Sequence, residues 1–436
     1  MVVAETIKKD VIVVGGGMAG VSAAISAAEG GAEVLLLEQT SCLGGVATAG
    51  LVTPMMKNGV FTYDGKKVVA GNLDKIMDLS QFYEGMEFNF NPEIIKCVLD
   101  ELLMSRGVQV LFHTFIYDVE RQGEQIIGLI GANKSGVTRF KANVYIDATG
   151  DADVAYRAGS PTMFGRESDG LTQAVSLRFI AGNIDVPAAR GYLTSVEGKE
   201  TFMQAIKEYS ERTGFEILDT KSFQNYPLIN RPNELAFNCP RIVGIDGTKA
   251  SDLSKAYLEG RKKILVYIKL LRENVPGCEH IQIISIAPLL GVRETRRLKG
   301  DYIVTEDDVV EGRKFDDGIG CNSWFIDIHN PKGSGIGYGS AQKTITYPKG
   351  GWNDIPYRAL YSSAVTNLLV AGKCVSSTHE AHAAIRIMAS CIAMGQAAGT
   401  AAAMAIQGDS NVCEVDVVAL RNKLAEDGAL ITGVNL

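Results

Sequence analysis

Four apolar residues, Val11–Val14, run without a break into Gly15-Gly16-Gly17, and a stretch of small residues follows from Met18 to Glu29. A short apolar run closed by glycine predicts a strand buried on both faces, here Asp10–Val14. The alanine-rich segment predicts a helix over 18–29. "EVLLL", Glu33–Leu37, predicts a second strand that stops on Glu38. Strand, helix and strand make one β-α-β unit of about thirty residues. Further on, Asn91 suits an N-cap, Pro92 the first helical position and Glu93 the first turn, and Gly107 closes that helix before a strand over 108–112. "TFIYDVE", "QIIGLIGA" and "VTRFKANVYIDATG" alternate in short β-rich runs, which predicts an antiparallel meander returning to the main sheet. From about Gly165 the pattern changes to mixed segments with one long helical stretch, Leu253–Asn274. "PKGSGIGYGS" and "YPKGGWNDIP" read as loops. Asn367–Gly372, "NLLVAG", predicts a strand that returns to the first domain ahead of a long helix. The division read from this pattern is 1–164, an inserted domain over 165–347, and a return over 348–436.

The glycines give the first domain a ligand. Gly15, Gly17 and Gly20 stand as G-x-G-x-x-G, with Ala19 inside the motif, after a strand and opening a helix. The first permits a tight turn, the second lets the backbone approach a pyrophosphate, and the third allows close helix–strand packing. Glu38 follows where a carboxylate accepts from ribose hydroxyls. That combination predicts a bound dinucleotide in an α/β, Rossmann-like domain, a parallel sheet with a β-meander, beside an inserted α+β substrate domain. Three more segments bring backbone close to a ligand: Gly44-Gly45 in "SCLGGVATAG", Ala148-Thr149-Gly150 in "YIDATGDADVA", and Gly372 in "NLLVAGKCVSS". Approaches spread over the whole chain suit a long, buried FAD better than an exchangeable NAD.

Composition narrows the partners. The 436 residues are 46% apolar with a net charge of −7, and no basic stripe points to nucleic acid or an anionic membrane. Eight cysteines are scattered without CxxC or metal spacing, and "MVVAETIKKD" lacks the apolar core of a signal peptide, so the chain reads as cytoplasmic. The stretch Ile385–Gln407 is long enough to span a bilayer and holds Gly395 and Gly399 as GxxxG. Its alanine and glycine content, with Arg386, Ser390 and Gln396, reads instead as a buried helix packing closely through small residues, not a membrane span.

The pieces "VVGGGMAGVSAA", "LLLEQTSCLGGVATAGLV", "NPEIIKCVLDELL", "YIDATGDADVAYRAG", "GVRETRRLKGDYIVT" and "NLLVAGKCVSSTHEAHAAIRIMASCIAMGQAAGTAAA" resemble the FAD-dependent oxidoreductases of the glutathione-reductase-like superfamily. They are most akin to fumarate reductase flavoprotein subunits, the heterodisulfide reductase flavin subunit and the tRNA-uridine-modifying flavoprotein. The resemblance implies FAD and assigns roles. Glu38, with Gln39 beside it, binds the adenosine ribose. Gly44, Gly45, Ala47 and Thr48 run past the pyrophosphate toward the flavin. Ile116 meets the adenine through its backbone, and Ala148, Thr149 and Gly150 lie along the nucleotide half. Gly372 and Lys373 sit by phosphate or ribityl, and the backbone of Ile387 and Met388 faces the pyrimidine edge. Many relatives end the late strand in Gly-Asp where this chain has Gly372-Lys373, which redirects that contact toward phosphate. No CxxxxC pair follows the first glycine pair, which argues against a disulfide reductase.

The candidate chemistry lies outside the motif. A flavin supplies hydride chemistry while the protein supplies orientation and a proton donor or acceptor. His379 and His382, two of five histidines, precede the helix expected to begin near Ala384; either suits an acid or base at neutral pH, against a structural reading as satisfied histidines. Arg293, Arg296 and Arg297 are the densest basic cluster. On a strand, 293 and 297 would face one side and 296 the other, and Arg293 or Arg296 could clamp a substrate carboxylate, against a salt-bridged surface with Glu294 and Asp301. His329, Tyr347 and Trp352 are candidate pocket residues, Cys42 is a weak redox candidate, and no metal site is predicted. The leading reading is an FAD-dependent oxidoreductase that transfers a hydride between a small polar molecule and flavin N5, with an unspecified electron acceptor or donor; a homo-oligomer is compatible with it. An electron-transfer or tRNA-modifying flavoprotein with a macromolecular partner and an NAD-dependent dehydrogenase are the alternatives.

Overall fold

The computed structural model describes residues 5–84, 88–219, 223–333 and 347–436, so most of "PKGSGIGYGS" lies outside the described residues. The apolar runs become β1 (Glu5–Val14), β2 (Val34–Leu37) and β3 (Gln109–Leu111); the meander becomes β4 (Phe115–Gln122), β5 (Gln125–Asn133) and β6 (Gly136–Asp147). They form one sheet in the order β3-β2-β1-β6-β5-β4, and the strand Leu368–Val370 joins it beside β6. Pairing is parallel among β3, β2, β1, β6 and Leu368–Val370, and antiparallel through β6-β5-β4. β1 begins earlier than its apolar run suggests. Its polar half, Glu5–Lys9, pairs with Thr138–Ala142 of β6 and extends the sheet beside the meander.

The helix Met18–Glu29 and the helix Met388–Gln407 cross at backbone contact over this sheet. A Cβ on Gly395 would stand 2.1 Å from Ala19 O, and one on Gly399 would stand 2.1 Å from Ala23 O. Small residues therefore let the two backbones touch, and Ser22 Oγ donates to Ile392 O at 2.7 Å across the contact. The second helix is long and apolar enough to cross a membrane, yet 83% of its apolar window is buried inside the fold. It starts at Met388, not near Ala384. Thr378 caps a separate short helix, His379–Ile385, through the Ala381 N–H, and the chain breaks at Arg386-Ile387 before the long helix.

A second core gathers between Val175 and Val292. Four antiparallel strands lie in the order Asn225–Leu228, Arg231–Phe237, Phe179–Gly182, Gln282–Ile286. The helix Ala250–Asn274 contributes Ile264, Tyr267 and Leu271 to the same cluster, and Phe179 stacks on Phe237 with ring centroids 4.8 Å apart. The arginine cluster is not one strand. Only Arg296–Leu298 is extended and paired, with Thr162–Phe164, and Arg293 precedes it in a loop.

Candidate functional site

Three of the predicted backbone approaches, and Glu38, follow a parallel strand at its carboxyl end, where open α/β sheets leave a crevice; Gly44-Gly45 lies further along the loop after β2. Gly15 follows β1, Glu38 follows β2, Ala148 follows β6 and Gly372 follows Leu368–Val370. Gly15 has φ +103°, and a Cβ there would stand 2.4 Å from Ala148 O, so only glycine lets β1 and β6 close this corner. Gly44 N donates to Gly16 O at 2.8 Å, and Gly45, at φ +54°, lies against Gly17. The second glycine pair is thus laid on the first.

The cleft is lined by Gly15, Gly17, Ala19, Glu38, Gln39, Gly44, Gly45, Ile116, Ala148, Thr149, Gly150, Gly372, Lys373 and Met388. Gly20, Ala47, Thr48 and Ile387 support it from behind. A Cβ on Gly20 would stand 1.9 Å from Gly15 O, the Thr48 hydroxyl donates to Leu43 O, and Ile387 is the N-cap of the long helix. Glu38 is buried and accepts from Gly16 N at 2.6 Å and Thr40 N at 2.7 Å, which leaves lone pairs on both oxygens for ribose hydroxyls. Lys373 reaches across the cleft floor to Gly150 O at 2.5 Å and Asp151 Oδ1 at 2.7 Å, so an acid from β6's loop already holds the lysine that replaces the expected Gly-Asp. That loop is shaped by Asp147, buried and accepting from Thr149, Val154 and Ala155; burial raises its carboxyl.

These residues fit the FAD that the resemblance implies. Gly17 caps the helix Met18–Glu29 without a side-chain partner, and a Cβ on it would meet nothing within 4 Å, so its backbone faces open cleft where a pyrophosphate would rest. From Glu38 and Ile116 the cleft continues to Arg386, Met388 and Cys391 at the uncapped N-terminus of the long helix. Gly247, Tyr257, Leu289 and Val292 also line it.

The four residues singled out for chemistry separate. His379 Nδ1 lies 2.9 Å from Glu294, whose carboxylate also takes Arg297 and Gln173 N; its Nε2 has no partner among the described residues. The Arg297–Glu294 pair is buried rather than a surface bridge, and Asp301 instead takes Ser363. His382 is fully buried with Nε2 2.9 Å from Lys373 O; burial, then Arg297 and Arg386, push it well below the usual histidine range. Arg296 donates to Asp151 O and Asp153 Oδ1, both at 3.0 Å, and lies 4.4 Å over the Tyr156 ring. Arg293 turns the other way, to Ala174 O at 2.6 Å, Ser176 Oγ at 3.0 Å and Asn238 Oδ1 at 3.3 Å. Trp352 is held by Thr432 and by Lys314, 3.8 Å over its ring, and Tyr347 packs on Tyr63 and Phe325. Cys42 Sγ stands 3.8 Å from the Thr48 hydroxyl. No group of three metal-ligating side chains occurs among the described residues.

Arg293 belongs to a largely buried polar cluster, called the chamber below, that the sequence did not disclose. Arg178 shares Asn238 Oδ1 with it, at 3.1 Å, and donates to Leu51 O at 2.9 Å. Arg386, which also lines the cofactor cleft, donates to Gln173 Oε1 at 3.3 Å and Asp327 O at 3.0 Å. His329 Nε2 lies 3.6 Å from Asp327 Oδ2. Burial, then the charge of Arg293, push His329 down to about 3, so it is neutral at pH 7. Burial opposes ionisation of Asp327, but His329, Arg386 and Arg293 outweigh it and hold the carboxyl below its ordinary range. Arg386 had a sequence signal, as the one charge in the apolar run from Ile385 to Gln407. Arg178, Gln173 and Asp327 had none, because they come from separate, unpatterned segments.

The family described as FAD dependent oxidoreductase matches residues 10–424. Comparison with curated proteins gave no match. Among solved structures, a geranylgeranyl bacteriochlorophyll reductase-like protein from Thermoplasma acidophilum is 13% identical, covering 99% of this chain and 94% of its own, with a TM-score of 0.43. A myxobacterial chondrochloren halogenase is 14% identical over 96% of this chain and 78% of its own, with a TM-score of 0.44. The p-nitrophenol 4-monooxygenase of Pseudomonas putida is 11% identical over 97% and 86%, with a TM-score of 0.43.

Proposed function

Since the chain belongs to the FAD-dependent oxidoreductase family, we propose that it transfers a hydride between a small polar organic molecule, bound in the Arg293–Arg386 chamber, and its flavin. The observation that carries this reading is Arg386: one side chain lines both the cofactor cleft and the chamber. Bound flavin supplies the hydride acceptor or donor. The protein's own part is placement and proton handling. The uncapped N-terminus at Met388 and the Arg386 guanidinium set a positive field at that end of the cleft, which favours negative charge developing there. His329 is neutral and its Nδ1 has no partner among the described residues, so it can accept a hydrogen bond from a substrate hydroxyl and orient it. Glu294 fixes His379 with Nε2 free, and this histidine is the proton acceptor of the reading.

Anaerobic mixing of the yellow protein with hydroxy acids, polyols, sugars and enoates tests the reading. At least one alcohol should bleach the flavin, or one enoate should re-oxidise the reduced form. His329→Leu should slow that step by about tenfold while flavin content stays unchanged. Absence of any bleaching or re-oxidation across the panel would sink the proposal.

A further inference from the structure

The chamber holds more positive charge than its own residues neutralise. Arg178, Arg293 and Arg386 belong to it, and the only carboxylate within 4.0 Å of any of the three among the described residues is Asp327, 3.9 Å from Arg386. Their charges are felt mutually. Arg293 is pushed down by burial first and then by Arg386, Arg241 and Arg178, and Tyr226 feels Arg178, Arg293 and Asp327 together. Arg241, close by, is committed to the buried Asp219. Burying like charges side by side costs stability unless a counter-charge joins them.

A second observation is independent of charge. Four buried polar atoms in this chamber have no hydrogen-bond partner among the described residues: Gln173 Nε2, Asp327 Oδ1, His329 Nδ1 and Arg386 Nε. Four such atoms gathered beside three arginines give the cluster hydrogen-bonding capacity that a polar ligand can use. Two are donors beside guanidinium groups, and two are acceptors on the His329–Asp327 side.

We propose that this chamber is a recognition site for a small hydroxy acid. Its carboxylate lies between Arg293 and Arg386 with Gln173 Nε2 as a further donor, and its hydroxyl donates to His329 Nδ1 or Asp327 Oδ1. The planar guanidinium forks match a carboxylate. Arg178 adds charge from behind through the shared Asn238. The inference deepens the proposed function and rests on it for the ligand being the substrate; the recognition of a hydroxy carboxylate rests on the chamber alone.

Binding to the flavin-loaded protein, held reduced and anaerobic, tests it without turnover, because a reduced flavin accepts no hydride from a hydroxy acid. Glycolate, lactate, malate and tartrate are titrated while the flavin absorbance spectrum and the thermal midpoint are followed. Lactamide and propane-1,2-diol serve as uncharged counterparts, and propionate as the acid without a hydroxyl. At least one hydroxy acid should perturb the flavin band and raise the midpoint, binding at least tenfold tighter than the uncharged counterparts and severalfold tighter than propionate. Arg293→Met and Arg386→Met should each weaken it at least tenfold, and Arg293→Lys should recover part of the loss. The comparison of acid with amide on the unaltered protein holds even where a variant does not fold. Equal binding of acid and amide, equal binding of sulfate, or no binding by any hydroxy acid overturns the proposal. Hydroxy acids that bind in an arginine-dependent way but never bleach the flavin leave this inference standing and remove the hydride reading. Bleaching by polyols with no hydroxy-acid binding does the reverse.

Discussion

Single residues divide the glycine motif into two jobs. Gly17 has ordinary helical-entry geometry and open space where a Cβ would go, whereas Gly20 would drive its Cβ to 1.9 Å from Gly15 O. Gly17→Ala should therefore keep the fold to within about 1 kcal/mol but lose flavin affinity at least tenfold. Gly20→Ala should lose about 1–3 kcal/mol or more even in flavin-free protein, because backbone rather than a mobile side chain stands in the way. Urea unfolding of flavin-free samples and flavin stoichiometry after gel filtration separate the two, and a Gly17→Ala protein isolated with full flavin would contradict the cradle. His329 makes a pH prediction. Its folded pKa of about 3 lies below the ordinary 6.5, so the unfolded chain binds one more proton between those values. Stability held above pH 6.5 should then fall with acid through that window, by about 1.4 kcal/mol per pH unit for this one group. Comparing His329→Gln with the unaltered protein between pH 4.5 and 6.5 isolates that share, since Asp327 titrates below the window. Identical slopes would show that His329 is not buried neutral.

Elements were legible where periodicity and chemistry agreed. The helix at 18–29, the strand read at 33–37 and the meander fell where the apolar pattern placed them, because each element's local signal and its tertiary role coincide. The start of the long helix was missed because "HEAHAAIRIM" is helix-forming throughout, and only the tertiary fold breaks it at Arg386-Ile387. The arginine cluster misled for the opposite reason: an extended reading aligned Arg293 with Arg297, but Arg293 turns off before the strand begins. The chamber was illegible in sequence, since Gln173, Asp327 and Arg386 meet only in the folded chain. Close helix contact gives an element-scale prediction. Gly399→Ala should destabilise by about 1–3 kcal/mol, since its Cβ meets Ala23 O at 2.1 Å. Gly191→Ala, on the exposed face of the helix Val186–Thr194 with nothing within 4 Å, should instead stabilise by roughly 0.5–1 kcal/mol. Urea midpoints that move in the same direction for both would refute backbone contact as the reason for Gly399.

At the scale of the molecule, the cofactor cleft is a joint. One wall is the carboxyl edge of the main sheet; the other is Gly247, Leu253, Tyr257, Leu289, Leu290 and Val292, all from the chain that builds the second core. Direct ties across the joint include Leu289 N to Ala49 O at 3.1 Å, Arg178 to Leu51 O at 2.9 Å, Asn230 Nδ2 to Glu84 O at 2.8 Å, and the chamber's Arg386–Gln173 contact. FAD in the cleft would touch both walls and so join two cores that each pack well alone. A ligand that binds only the assembled state stabilises it by about 2.7 kcal/mol at a hundredfold excess over Kd. That energy should act at the joint more than in either core. Flavin-stripped protein should therefore exchange backbone hydrogens faster over 247–257 and 287–293, and in the loop 44–51. Protection of β1, of the helix Met388–Gln407 and of the strand Phe179–Gly182 should change little, because those segments are closed by their own core contacts. Hydrogen exchange read by mass spectrometry on loaded and stripped protein decides it. Uniform deprotection on stripping would mean that the flavin supports the entire fold as one unit, and no deprotection at 247–257 would mean that the second core does not close over the cofactor.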